Sequence, residues 1–165
     1  MTRDEAIAFL KQHQPMPSER DVTDADVDRY DQARRYFMEH PDEEAIPLLL
    51  NSFGEGGRGV NQLIEDAIVR HDQELVIPEI ARALASSHET VRYWNAQIAA
   101  LFPDVRLVAP LAKVLSQDSH DLKYAAVTAL ERIGSEEAFA ALTIARNNER
   151  DGEIRELIDE VLSPH

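Results

Sequence analysis

The chain has 165 residues, with 31 Asp and Glu against 17 Lys and Arg, six His and no Cys. That length predicts a single domain. A formal charge of −14 speaks against nucleic acid or an anionic membrane surface as direct partner, since both select clustered cations, and it suits a cationic partner or simple solubility. Without Cys there are no disulfides, thiolate zinc sites or cysteine nucleophiles.

The first residues form an amphipathic helix over 3–12, with Ala6, Ile7, Phe9 and Leu10 inward. Arg3, Asp4, Glu5 and Lys11 interrupt the apolar run that a signal peptide needs. No stretch approaches the roughly 20 apolar residues of a membrane helix, and the reading is a cytoplasmic protein. Residues 13–22 are a connector broken by Pro15 and Pro17. Thr23 is an N-cap, with Asp24 and Asp26 at the positive end of the helix dipole. Val27, Tyr30, Ala33 and Phe37 carry that helix to about His40, where Pro41 stops it.

From residue 43 the chain repeats. Pro47, Pro78 and Pro110 recur with spacings of 31 and 32, and Val60, Val91, Leu122 and Ile154 keep the same period in a second register. Each unit reads as two helices. The expected pairs are Glu43–Phe53 with Val60–Arg70, Gln73–Ala85 with Glu89–Phe102, Val105–Ser116 with His120–Ile133, and Glu136–Asn147 with Gly152–Leu162. The recurrent Pro predicts a bend in the first helix of a unit. Apolar stripes such as Val91, Asn95, Ile98 and Phe102, widened by Trp94 and Leu101, are too wide for one helix pair to bury.

The run from Pro110 to Gly134 resembles a HEAT repeat, closest to the short HEAT-like type first named for phycobilisome lyases. Asp121, Leu122, Lys123, Ala125, Ala126, Ala129, Leu130, Ile133 and Gly134 carry the likeness. Unit two departs from it at Trp94 and Asn95, and unit one is degenerate, with Asn61 and a Gly-rich turn. The resemblance implies an all-α, right-handed superhelix of about four helical hairpins, near 43–70, 71–102, 103–134 and 135–162. Residues 1–42 would be an N-terminal helical extension that caps the first unit. The second helices would line the inner face, and the family implies binding surfaces far more often than catalysis.

Several side chains are candidates for contact. Arg92, Lys123 and Arg155 form a ladder that is either an anion site or a set of inter-repeat ion pairs, with Asp121 and Glu89 as nearby acids. Tyr93 and Tyr124 occupy equivalent rows and suit interface anchors. Trp94, adjacent to Tyr93, cannot face the same way, so one of the two belongs to the core and the other to the surface. Glu65 and Asp66 contribute to an acidic face that would select a basic partner. The glycines of residues 54–59 are a flexible turn, since no Lys then Ser or Thr follows the last of them, as a phosphate loop requires. His88-Glu89 lacks the second His of a zinc helix, and no triad or nucleophile turn is identifiable.

The resulting expectation is a protein-binding module without catalysis, cofactor or metal. Its inner face, through Tyr93, Tyr124, Arg92, Lys123, Glu65 and Asp66, binds a basic protein. Short acidic HEAT-like proteins resemble the immunity proteins of bacterial toxin systems, which implies an inhibitor. A scaffold or assembly adaptor, or an enzyme such as a lyase, are the alternatives.

Overall fold

The computed structural model describes residues 1–56, 59–117 and 119–163. All regular structure among them is helical: α1 (Arg3–Gln12), α2 (Asp24–Glu39), α3 (Ala45–Leu50), α4 (Val60–Ile68), α5 (Gln73–Ala83), α6 (Glu89–Ala99), α7 (Val108–Leu115), α8 (His120–Ile133), α9 (Glu136–Asn148) and α10 (Gly152–Leu162). Local chemistry sets the ends. Thr2 and Thr23 each close a capping box, with Glu5 and Asp26 respectively. Asp72, Ser135 and Asp151 accept from first-turn N–H groups of α5, α9 and α10. Gly134 ends α8 in the left-handed region at φ 61°, where a Cβ would be strained.

One expected helix is divided. Residues 105–107 form a 3₁₀ turn and α7 starts only at Val108. Pro110 has no N–H to return to the Arg106 carbonyl, so a continuous α-helix through residue 106 would lose that bond. Asp104 instead accepts from the Arg106 N–H and caps the tighter turn. Pro47 and Pro110 each fall in the first turn of a helix, where a missing N–H costs nothing, and only Pro78 lies inside one.

The helices stack as an all-α solenoid with two rows. The first helices pack in succession, α1 on α3, α3 on α5 and α7 on α9, with the 3₁₀ turn bridging α5 to α7. In the second row α2 packs on α4, α6 on α8 and α8 on α10, while the α4–α6 contact is slight. At that junction Phe53 fills the gap: it is fully buried and stacks on Trp94, ring centroids 5.5 Å apart. Buried Asn95 donates to the carbonyl of Leu50 at the C-terminal end of α3, where helix carbonyls lack intrahelical partners.

The first part of the Gly-rich turn, through Gly56, is held against residues 16–17. The Met16 N–H donates to the Ser52 carbonyl and the Gly56 N–H to the Pro17 carbonyl, so residues 16–17 lie directly on it. A Cβ on Gly54 would stand 2.1 Å from the Met16 carbonyl oxygen, and one on Gly56 2.6 Å from that of Pro17. Glycine is required there for close approach. Gly57 and Arg58 of this turn lie outside the described residues.

Residues 1–42 join the same stack. Tyr30 is buried and its hydroxyl donates to the His13 carbonyl. Phe9 meets Tyr30 edge-on and His13 face-on, with the Arg29 guanidinium 4.6 Å above its ring. Arg3 reaches Asp42 and Glu44, and Lys11 also reaches Glu44, at 2.5–2.9 Å.

Candidate functional site

The six candidate contact residues do not share one face, because neighbours on a helix, such as Arg92 and Tyr93, point about 100° apart. Tyr93, in the second turn of α6, is half-buried and lines a cleft of about 330 Å³ with Glu55, Glu89, Thr90, Ser119 and Asp121. The cleft is built where the loop before α4 meets the first turns of α6 and α8. Among the described residues its lining holds three carboxylates and no cation. The Tyr93 hydroxyl accepts a hydrogen bond from Gln97 at 3.0 Å, which keeps its own proton available for donation. Trp94 is half-buried too, and its ring meets that of Tyr93 at 5.6 Å and 77°. The expected division into one core and one surface aromatic is therefore corrected. Both rings lie at the boundary, because Phe53 takes the core position against Trp94.

Tyr124 stands one repeat on, at the equivalent place of α8, and is 50% exposed. The same row in α4 and α10 is held by Gln62 and Glu156, both exposed. Glu65 and Asp66 are on α4, half-buried and exposed respectively. Burial, and then the neighbouring Asp66 charge, push the Glu65 carboxyl above its ordinary range. Leu101, expected in the core stripe, lies beyond the end of α6 at Ala99 and is 46% exposed.

Arg92 and Lys123 are not on the tyrosine face. Each lines a groove between first helices, Arg92 between α5 and α7 and Lys123 between α7 and α9. Lys123 donates to Glu149 at 2.9 Å, with side chains 12% and 4% exposed. The acid is neither Asp121 nor Glu89 but a residue of the loop that follows α9. The Glu149 carboxylate also accepts from the N–H groups of Arg150 and Asp151. Burial opposes its charge, yet those N–H donors and Lys123 together hold its carboxyl below the usual range. Arg92 donates to the Ser86 carbonyl at 2.6 Å, and its buried Nε has no hydrogen-bond partner. Arg155 is exposed on α10.

Sequence reasoning missed Glu55 because it lies in the Gly-rich turn, outside any helical register. No group of three or more His, Asp or Glu side chains arranged to hold a metal occurs among the described residues, and no helix there is long and apolar enough to cross a membrane.

The stacked hairpins are matched by a family model. The model for HEAT repeats aligns with residues 77–163, just over half of the chain. The chain belongs to the HEAT-repeat family. A search of curated proteins found no match. HEAT repeats generally mediate protein–protein interaction and are typically non-catalytic scaffolds. In this HEAT-repeat chain the matched segment includes α6 and α8, the helices that carry Tyr93 and Tyr124.

Proposed function

We propose that the second-helix face of this HEAT-repeat protein binds a basic protein, with one Lys or Arg side chain of the partner entering the Tyr93 cleft. The cleft carries the reading: Glu55, Glu89 and Asp121 converge on an aromatic ring in about 330 Å³, and these carboxylates form no ion pair among the described residues. A cation over a Tyr ring gains about 0.5–2 kcal/mol, and the three carboxylates, exposed in the free chain, add charge-assisted hydrogen bonds. Tyr124, Asp66 and Glu65 extend the contact along α8 and α4. The net charge of −14 accelerates encounter with a cationic surface. An acidic cover over a basic partner suits an inhibitor of the immunity-protein kind, and a scaffold or adaptor would share the same face.

The test is capture from native lysate at low salt with the wild-type chain, a Glu89→Gln/Asp121→Asn variant and a Tyr93→Ala variant, each confirmed helical. The expected result is one basic protein that binds wild type, is released as salt rises, and is lost or weakened at least tenfold (about 1.4 kcal/mol) by both variants. A partner held equally by all three chains, or an acidic one, overturns the reading. Several partners insensitive to the charge change would assign the scaffold role instead.

A further inference from the structure

The two first-helix grooves are copies of one another. Ala81, Leu84 and Arg92 of the α5–α7 groove stand 31 residues before Ala112, Leu115 and Lys123 of the α7–α9 groove, and Pro110 and Gln117 stand 31 before Ala141 and Asn148. Their volumes are about 460 and 580 Å³. The copies therefore allow one groove to be read against the other.

In the α7–α9 groove the cation is answered from within the chain. Glu149 enters with its carboxylate buried, and Lys123 and two main-chain N–H groups satisfy it. In the α5–α7 groove the corresponding Arg92 has a buried Nε without a partner, and none of the described lining residues is acidic. A second difference points the same way. Where the α7–α9 groove has Ile144, the α5–α7 groove has Lys113, a cation with no ion pair among the described residues. Two unanswered cations thus share one apolar-walled groove in a chain of strong negative charge. Other cations without an ion pair among the described residues, such as Arg132 and Arg155, are exposed to solvent, whereas Arg92 has its Nε buried. Asp118, which precedes Glu149 by the same 31 residues, lies outside the described residues.

We propose that the α5–α7 groove binds a glutamate side chain presented by a segment of a polypeptide partner, its carboxylate between Arg92 and Lys113. The neighbouring groove shows the chemistry, since Glu149 is a carboxylate received by the equivalent cation. The walls of Ala81, Leu84 and Pro110 receive the methylene groups, and Gln117 adds a polar group at the rim. This contact is independent of the Tyr93 cleft and uses the opposite charge.

The experiment is a ¹⁵N–¹H NMR titration of the full chain with a capped pentapeptide of sequence Ala-Leu-Glu-Leu-Ala, and with the same peptide carrying Gln. The glutamate peptide is expected to shift amides of residues 81–86, 92 and 109–117 but not those of 144–149, with the Gln peptide at least about tenfold weaker, as loss of a charged hydrogen bond implies. Lys113→Ile, which installs the residue type of the neighbouring groove at an exposed position, should weaken binding by a similar factor without loss of helix. Arg92→Gln is the second variant, and its own fold is checked by the same spectra. Equal response to both peptides, or no groove shifts at millimolar peptide, overturns the proposal. Binding that emerges only in Asp118→Asn also overturns it, since the chain would then fill its own groove.

Discussion

Arg146 donates two hydrogen bonds to Asp159, at 2.6 and 3.1 Å, across the α9–α10 hairpin. One repeat earlier, at spacings of 31 and 32, the same places hold Leu115 and Val127, both buried between hairpins. The last hairpin thus has an ion pair where the previous one has two buried apolar side chains, as the exposed end of a repeat stack requires. With side chains 41% and 46% exposed, the pair is screened by solvent and contributes little to stability. Asp159→Asn should therefore leave the melting temperature nearly unchanged. Arg146→Leu/Asp159→Val should instead create an apolar end face and increase self-association over wild type, read by sedimentation velocity. Identical sedimentation of the two chains would show that this face has no such role.

Two histidines should titrate in opposite directions. The Asp151 carboxylate accepts from His120 at 2.7 Å and raises the pKa of the imidazole above its usual 6.5. Burial lowers that of His71, whose Nε2 has no hydrogen-bond partner, although Asp42 and Glu43 oppose the shift. The stability from His120 is full below its unfolded pKa and is lost as pH rises through its folded pKa. For His71 the unfolded state binds the proton more readily, so stability falls as pH drops below the unfolded pKa toward the folded one. Imidazole NMR titration should place His120 above and His71 below 6.5, and Asp151→Asn should bring His120 down alone. A His120 midpoint unmoved by Asp151→Asn would contradict the hydrogen bond.

Among the described residues the Lys123–Glu149 pair is the most enclosed ion pair joining two hairpins. Removal of one partner from such a pair leaves a buried charge and typically costs about 3–5 kcal/mol. Glu149→Ala should fall near the lower end of that range, because Lys123 keeps some solvent access. Glu149→Gln should cost less, since its amide oxygen still accepts from the Arg150 and Asp151 N–H groups. The contribution is present above the unfolded carboxyl pKa and is lost as pH falls through the lowered folded value. Urea unfolding between pH 3 and 7 measures both the cost and its acid dependence, and a Glu149→Ala variant as stable as wild type would refute it.

Phe53→Ala removes the ring stacked on Trp94, the only Trp of the chain. The expected cost is about 3–5 kcal/mol, as for other buried Phe truncations, with a red shift of the Trp emission as water reaches the indole. An unshifted spectrum would mean that another side chain shields Trp94.

Much of the fold is legible in the residues. The cap at Thr23 and apolar periodicity mark helix ends to within a few positions, because both act locally. The cleft and the grooves are less so. Equivalence of Arg92 and Lys123 is visible as a 31-residue step, but Glu149 lies 26 residues from Lys123 in a loop, and no helical spacing connects them. Gly54 and Gly56 look like mobility until residues 16–17 are seen against them. The place of Trp94 is set by Phe53, which comes from another hairpin.

Packing passes only from each helix to its near neighbours along the rows. Among the described side-chain hydrogen bonds the longest reach in sequence, Asn95 to Leu50, is 45 residues. Among the described residues no side-chain hydrogen bond joins the first helix to the last. A chain with such local contacts closes only short loops as it folds, and its search is correspondingly fast. Synthesis can complete one hairpin against the previous one before the next has left the ribosome, so the order of translation and the order of assembly coincide.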